Sequence, residues 1–157
     1  ADLTRKDIHK VKVGDKLMGR DGAVHTVLDL DRPLLWKGKP QHLIEINGEK
    51  AFTTDNHPIL TTTGWKAVNP EMAEKEAYDQ LSGHITPLEV GDEIVMSEGK
   101  TLEVKSIKVL PQEDKKIRLY NLLLDGDHTY YANDMLVHGS VPDKNGKYPL
   151  AKEHNGE

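Results

Sequence analysis

The sequence predicts an all-β fold built from two related halves, with one short helix near residues 70–81, and three observations carry that prediction. Short runs of strand-forming residues, bounded by Gly, Asn and Asp, recur along most of the chain. Helix signals are confined to one stretch, Asn69 to Leu81. The run from Val13 to Val27 aligns without gaps on the run from Val90 to Val104: Val-Gly-Asp, an apolar residue two places on, an acidic-Gly turn and a closing Val all coincide. A duplicated β unit implies a pseudo-twofold arrangement, and a functional cleft is expected where the halves meet.

Taken in order, Leu3 to Val11 suits one helical turn or irregular structure before Val11-Lys12-Val13. Gly14-Asp15 turns the chain into Lys16-Leu17-Met18, and Asp21-Gly22 turns it again into the alternating strand Val24-His25-Thr26-Val27-Leu28. Leu34 to Gly38 reads as a loop or hairpin tip. Leu43-Ile44-Glu45-Ile46 followed by Asn47-Gly48 is the strongest local hairpin signal, and its returning strand delivers Thr54 and His57. Asn69-Pro70 places an N-cap before a proline at the first helical position, and Gly83 sits where a C-terminal cap belongs. Strand and turn texture then resumes through Val104, Ile107 to Leu110 and Ile117 to Leu124. The last apolar runs flank Asp125-Gly126 and Asn133-Asp134 and read as a hairpin with His128 and His138 near its ends.

Composition narrows the function classes. The chain has 157 residues, enough for one domain. Its 26 acidic against 21 basic residues give a net charge of −5 with no concentration of Lys or Arg, so nucleic acid is not an expected partner. Absence of cysteine excludes disulfides, thiolate zinc sites and a Cys nucleophile within these residues. No apolar run reaches bilayer-spanning length and no signal-peptide core stands at the start, so the expected location is cytoplasmic, without membrane contact.

Specific motifs add to the repeat. Thr54-Asp55-Asn56-His57 is a Thr-x-x-His sequence; Tyr120-Asn121-Leu122 is followed by His128; Leu136-Val137-His138 is followed by Gly139 and Ser140. In their order and spacing these resemble the blocks of a Hint domain, the fold shared by inteins, bacterial intein-like domains and hedgehog autoprocessing domains. The resemblance runs from about Ile8 to Ser140 and implies the Hint horseshoe. Residues 66–88 are too few for a homing endonuclease, so the chain resembles a mini-intein. The activity implied is protein splicing, an autocatalytic rearrangement of peptide bonds with no cofactor and no metal. By that resemblance, His57 protonates the amide nitrogen at the upstream junction and Thr54 orients it. Asn121 stands where many inteins have Asp; it can orient a group but cannot transfer a proton. His128 and His138 assist the last intein residue, whose position Gly139 holds, and Ser140 is the first downstream residue, the nucleophile that accepts the acyl chain.

Departures from the family pattern matter as much. Ala1 offers no nucleophile, Ala1 to Thr4 align better with a point inside the family's first block, and Gly139 cannot cyclise as a terminal Asn does. Residues 1–139 are therefore expected to form a Hint domain lacking the first strand and its nucleophile, with 140–157 a flanking tail or remnant of the downstream segment. Two explanations fit: the C-terminal piece of an atypically split intein, whose partner is a complementary short N-terminal fragment carrying the upstream segment, or an altered single-chain domain. As supplied the chain is not expected to splice. Rival readings from other classes are a His-ligated metal-binding or hydrolase β module, with three histidines as ligands, and a noncatalytic β module. His9, His25, His42, His84 and His154 belong to no motif and are expected to be solvated; Thr53 and Thr61 to Thr63 are expected on strand surfaces, and Trp36 and Trp65 in packing roles.

Overall fold

A computed structural model describes residues 6–51, 53–75 and 85–139 of the chain. Among the described residues, fifteen strands and one α-helix follow in chain order: β1 Lys16–Met18, β2 Val24–Asp31, β3 Leu34–Leu35, β4 Leu43–Ile46, β5 Thr53–Thr54, β6 Ile59–Thr61, β7 Gly64–Ala67 and α1 Pro70–Lys75. Then come β8 Thr86–Pro87, β9 Glu93–Val95, β10 Thr101–Glu103, β11 Ile107–Val109, β12 Ile117–Arg118, β13 Asn121–Leu124, β14 Thr129–Ala132 and β15 Met135–His138. The expected mainly-β architecture with one short helix is what the chain adopts. Asn69 caps that helix as its sequence position implies, its side-chain oxygen accepting the Met72 N–H at 3.3 Å. The rest of the stretch to Leu81, and the cap expected at Gly83, lie outside the described residues.

The duplicated run is duplicated in structure down to single hydrogen bonds. Val90 stands 77 positions after Val13, and Gly14 and Gly91 adopt φ of 95° and 99°, backbone open to glycine at little cost. Gly14 N–H donates to Val27 O and Gly91 N–H to Val104 O, each at 2.8 Å. Each copy then makes a tight turn whose acidic residue is left-handed, Asp21 at φ 58° and Glu98 at φ 62°. Val27 and Val104 end the two copies fully buried. These two valines anchor a core shared with Ile44, Ile59, Ile94, Leu122, Leu124 and Val137.

Pairs within each half are joined by pairs that cross between the halves. β2 of the first half pairs with β13 of the second, β4 with β11, β3 with β12, and β6 with both β9 and β15. The eight residues of β2 hold β1 with the near end and β13 with the far end, with an irregularity between Leu123 and Leu124. The expected hairpin of β14 and β15 is present, turning at Asn133-Asp134 with φ of 49° and 64° and pairing Thr129 with His138. Asp125-Gly126 serves differently. It is a corner at which the chain leaves β2 and enters the sheet of β15, because β13 and β14 do not pair with one another. Asn47-Gly48 makes its tight turn, with Glu49 N–H on Ile46 O at 3.1 Å. Yet the return strand pairs only at Thr53 and Thr54. The Asn47 side chain instead binds Glu103 O and the Lys105 and Ser106 N–H groups, tying the first half to the second.

Candidate functional site

Thr54 ends β5, and the next residues turn so that His57 N–H donates to Thr54 O at 3.3 Å. The intervening pair is inward: Asp55 and Asn56 are buried. Asp55 accepts the His42 N–H at 3.1 Å, and the Thr54 hydroxyl donates to Asn56 Oδ1 at 2.6 Å. His57 is thereby thrown onto a cavity of about 150 Å³, which Thr54, Asn121, Tyr130 and Val137 also line. That volume is below the roughly 300–1,000 Å³ of pockets for drug-sized ligands. Burial, and then the neighbouring His138, push the His57 imidazole down to about 4, against a hydrogen bond to the His138 backbone that works the other way. Its Nε2 is shut off from solvent with no hydrogen-bond partner, a condition that buried polar atoms seldom tolerate. The ring is thus a neutral base with one nitrogen unspent.

His138 ends β15, the strand hydrogen-bonded beside β6, and its own N–H donates to Pro58 O, adjacent to His57, at 3.1 Å. Its ring is buried and meets Trp65 of β7 edge-on, centroids 5.2 Å apart. Burial drives it down to about 4; the hydrogen bond to Gly139 and the Asp127 charge oppose that shift, and His128 adds to it. Nδ1 lies 2.7 Å from Gly139 O. A carbonyl only accepts, so Nδ1 carries the proton and polarises that carbonyl.

His128, at φ 64°, completes the cluster with its ring 6.0 Å from that of His138. Its Nδ1 donates to Leu124 O, and its carbonyl accepts the Gly139 N–H at 2.6 Å. Gly139 is buried, and a Cβ there would stand 2.7 Å from Leu122 O and 3.0 Å from His128 O. The structure therefore brings together Thr54, His57, Asn121, His128, His138 and Gly139. Ser140 lies outside the described residues. Among those residues no three His, Cys, Asp or Glu side chains converge to hold a metal ion, and no helix is long and apolar enough to cross a membrane.

Several residues sit otherwise than their sequence suggests. His25 is not solvated but 5% exposed, between the carboxylates of Asp125 and Asp127. His42 is half-buried against Asp55. Thr53 and Thr61 are buried, the Thr61 hydroxyl donating to Gly64 O at 2.7 Å across the β6–β7 turn. His9 is exposed as expected, while His84 and His154 lie outside the described residues. Strand alternation around Val24, exposed, and Val27, buried, was the signal that would have turned His25 inward.

No protein-family model matches the chain, and no curated protein matches it. Solved structures do. The bacterial intein-like domain from Clostridium thermocellum is 30% identical, with a TM-score of 0.55 over 84% of this chain and 86% of that one. The gp41-1 intein is 22% identical, with a TM-score of 0.54 over 85% and 87%. A DnaB intein from Synechocystis sp. PCC 6803 is 15% identical, with a TM-score of 0.57 over 88% and 89%.

Proposed function

The chain belongs to the intein-like family of Hint-fold domains, and from that premise we propose that it is the larger, C-terminal part of an endonuclease-free splicing domain, completed by a short N-terminal segment that carries the nucleophile. The observation that carries the reading is His57: a neutral, half-buried imidazole whose Nε2 is shut off from solvent with no hydrogen-bond partner, facing a small cavity and hydrogen-bonded to the backbone of His138. In this reading one cluster serves both junctions.

At the upstream junction, a thiol or hydroxyl on the completing segment attacks the preceding carbonyl. The C–N bond breaks as the C–S or C–O bond forms, and the departing nitrogen takes a proton delivered through His57. General acid catalysis of this kind contributes about 10²–10⁴-fold. Thr54 and Asn121 orient the amide from the cavity wall. At the downstream junction, the His138 Nδ1–H polarises the carbonyl of position 139, the one a terminal Asn side chain attacks, while His128 fixes its N–H. In the proposal Ser140 accepts the transferred acyl group, and 140–157 is flanking sequence. Gly139 has no side-chain amide, so downstream release does not occur in this chain.

Supplying a Cys-bearing upstream segment, as a fusion or a separate peptide, tests this. Added thiol should then cut the bond before that Cys, and mass spectrometry reads the two products. His57→Gln should slow the cut at least a hundredfold. No thiol-dependent cut in the completed protein would refute the reading.

A further inference from the structure

His25 is the buried titratable group that the proposed chemistry does not use. Its ring is held on four sides. Nε2 lies 2.9 Å from Asp127 Oδ1 and Nδ1 3.6 Å from Asp125 Oδ1. The faces are closed by glycines: a Cβ on Gly19 would meet Cδ2 at 2.4 Å, and one on Gly126 would meet Nδ1 and Cε1 at 2.5 Å. Asp127 is tied further by the Thr129 hydroxyl at 2.6 Å, whose oxygen accepts the Arg20 N–H at 2.9 Å, and Asp125 accepts the Thr26 N–H at 2.9 Å. Burial works to raise the Asp127 carboxyl, but the Thr129 hydrogen bonds and His25 together hold it below its ordinary value.

The internal repeat shows that the fold does not require this arrangement. In the second copy the counterparts of Gly19 and His25 are Met96 and Leu102, both packed against the apolar core. One architecture thus fills the same two positions with Met and Leu in one half and with Gly and His in the other. What differs is the neighbour. The His side faces the corner Asp125-Gly126-Asp127-His128, whose last member contacts His138 and holds Gly139.

We propose that His25 is the positioning residue of the downstream junction: packed between the Asp125 and Asp127 carboxylates at the two ends of its ring, it fixes the corner that presents His128 to His138 and to the Gly139 N–H. The proposal deepens the splicing reading and rests on it for the meaning of that junction, but its geometry is tested without any cleavage. His25→Leu, which installs the residue the other copy uses, keeps apolar burial and removes both carboxylate contacts. Asp127→Asn is the milder variant should the first fail to fold.

In the full chain, amide hydrogen exchange at Gly139 and His128 should quicken at least tenfold in either variant. Val104, whose N–H donates to Asp92 O in the second copy, away from this corner, should keep its rate. Nitrogen chemical shifts of the His128 ring should show loss of the Nδ1–H form that Leu124 O now stabilises. Uniform quickening of all three amides would assign His25 a merely structural role and overturn the proposal. So would unchanged exchange at Gly139. If the exchange result holds while the completed domain still fails the thiol-cleavage test, the splicing reading alone is at fault.

Discussion

Acid should destabilise this protein in a pH window set by two histidines. His57 and His138 are both held near 4 in the fold, against 6.5 for a free imidazole, first of all by burial. The unfolded chain therefore binds protons at these sites between pH 6.5 and 4 while the folded chain refuses them, so stability falls as pH falls. At pH 5 the unfolded form of each group is almost fully charged and the folded form mostly neutral, a loss of about 2 kcal/mol per histidine relative to pH 8. Below pH 4 the loss levels off at about 3 kcal/mol per histidine. Asp15, Asp92 and Asp127 all lie below their ordinary 3.8, so they stay ionised throughout the window and contribute only beneath it. Urea unfolding followed at pH 8, 6.5, 5.5 and 5 is the assay. With a denaturant slope of about 2 kcal/mol/M, the midpoint should fall by about 1 M for each histidine between pH 8 and 5. His57→Gln should remove about half of that fall. A midpoint that stays constant over this range, or a pH dependence undiminished in the Gln variant, would refute the claim that the fold keeps these rings neutral.

Three further perturbations have definite outcomes. Gly139→Ala puts a methyl group 2.7 Å from Leu122 O and 3.0 Å from His128 O; it should cost about 1–3 kcal/mol, read as a fall in the thermal midpoint of several degrees. Trp65→Ala opens one side of the His138 ring, which Trp65 now meets edge-on; it should cost about 2–3 kcal/mol in urea unfolding and raise the His138 titration midpoint toward 6.5 by NMR. The paired turns offer an internal control: Asp92 binds Lys66 at 2.8 Å with both side chains mostly buried, whereas the Lys6 that Asp15 binds is 43% exposed. Asp92→Asn should lower stability by about 1 kcal/mol, and Asp15→Asn should lower it less.

What the sequence made legible was local or repeated. The Val-Gly-Asp copies, the Asn69 cap and the Asn133-Asp134 turn each depend on residues close in the chain, and each stands as expected. The Thr-x-x-His turn was equally readable, since His57 N–H reaches only as far as Thr54 O. What escaped depends on partners a hundred residues away. His25 meets Asp125 and Asp127, and nothing near Val24 or Thr26 announces carboxylates there. The Asp125-Gly126 corner looks like a hairpin turn by composition; which strands pair beyond it is decided by β2, whose length lets it hold two partners at once. Thr61 reads as strand surface because threonine alternates well with solvent, but β6 lies between β7 on one side and β9 and β15 on the other, which buries it.

The two sites proposed to serve the upstream and downstream junctions are not in equivalent states. Around His57 the fold leaves room: a cavity of about 150 Å³ and a ring nitrogen with nothing bound to it. Around Gly139 it leaves none: the N–H is spent on His128 O, the carbonyl on His138 Nδ1, and the space where a side chain would begin is filled by Leu122 O. Overpacking a well-filled site forces backbone shifts, so an asparagine at this position cannot adopt the present backbone; it must push β13 away or draw the junction out from between His128 and His138. In the proposed reaction, Gly139→Asn would therefore do two things at once, supplying a side-chain amide to attack the carbonyl and loosening the grip that now immobilises it. In the proposed reaction the upstream step lacks only the completing segment with its nucleophile. The downstream step lacks its nucleophile and needs a displaced backbone as well, so thiol-induced cleavage at the upstream bond is the sharper test of the proposal.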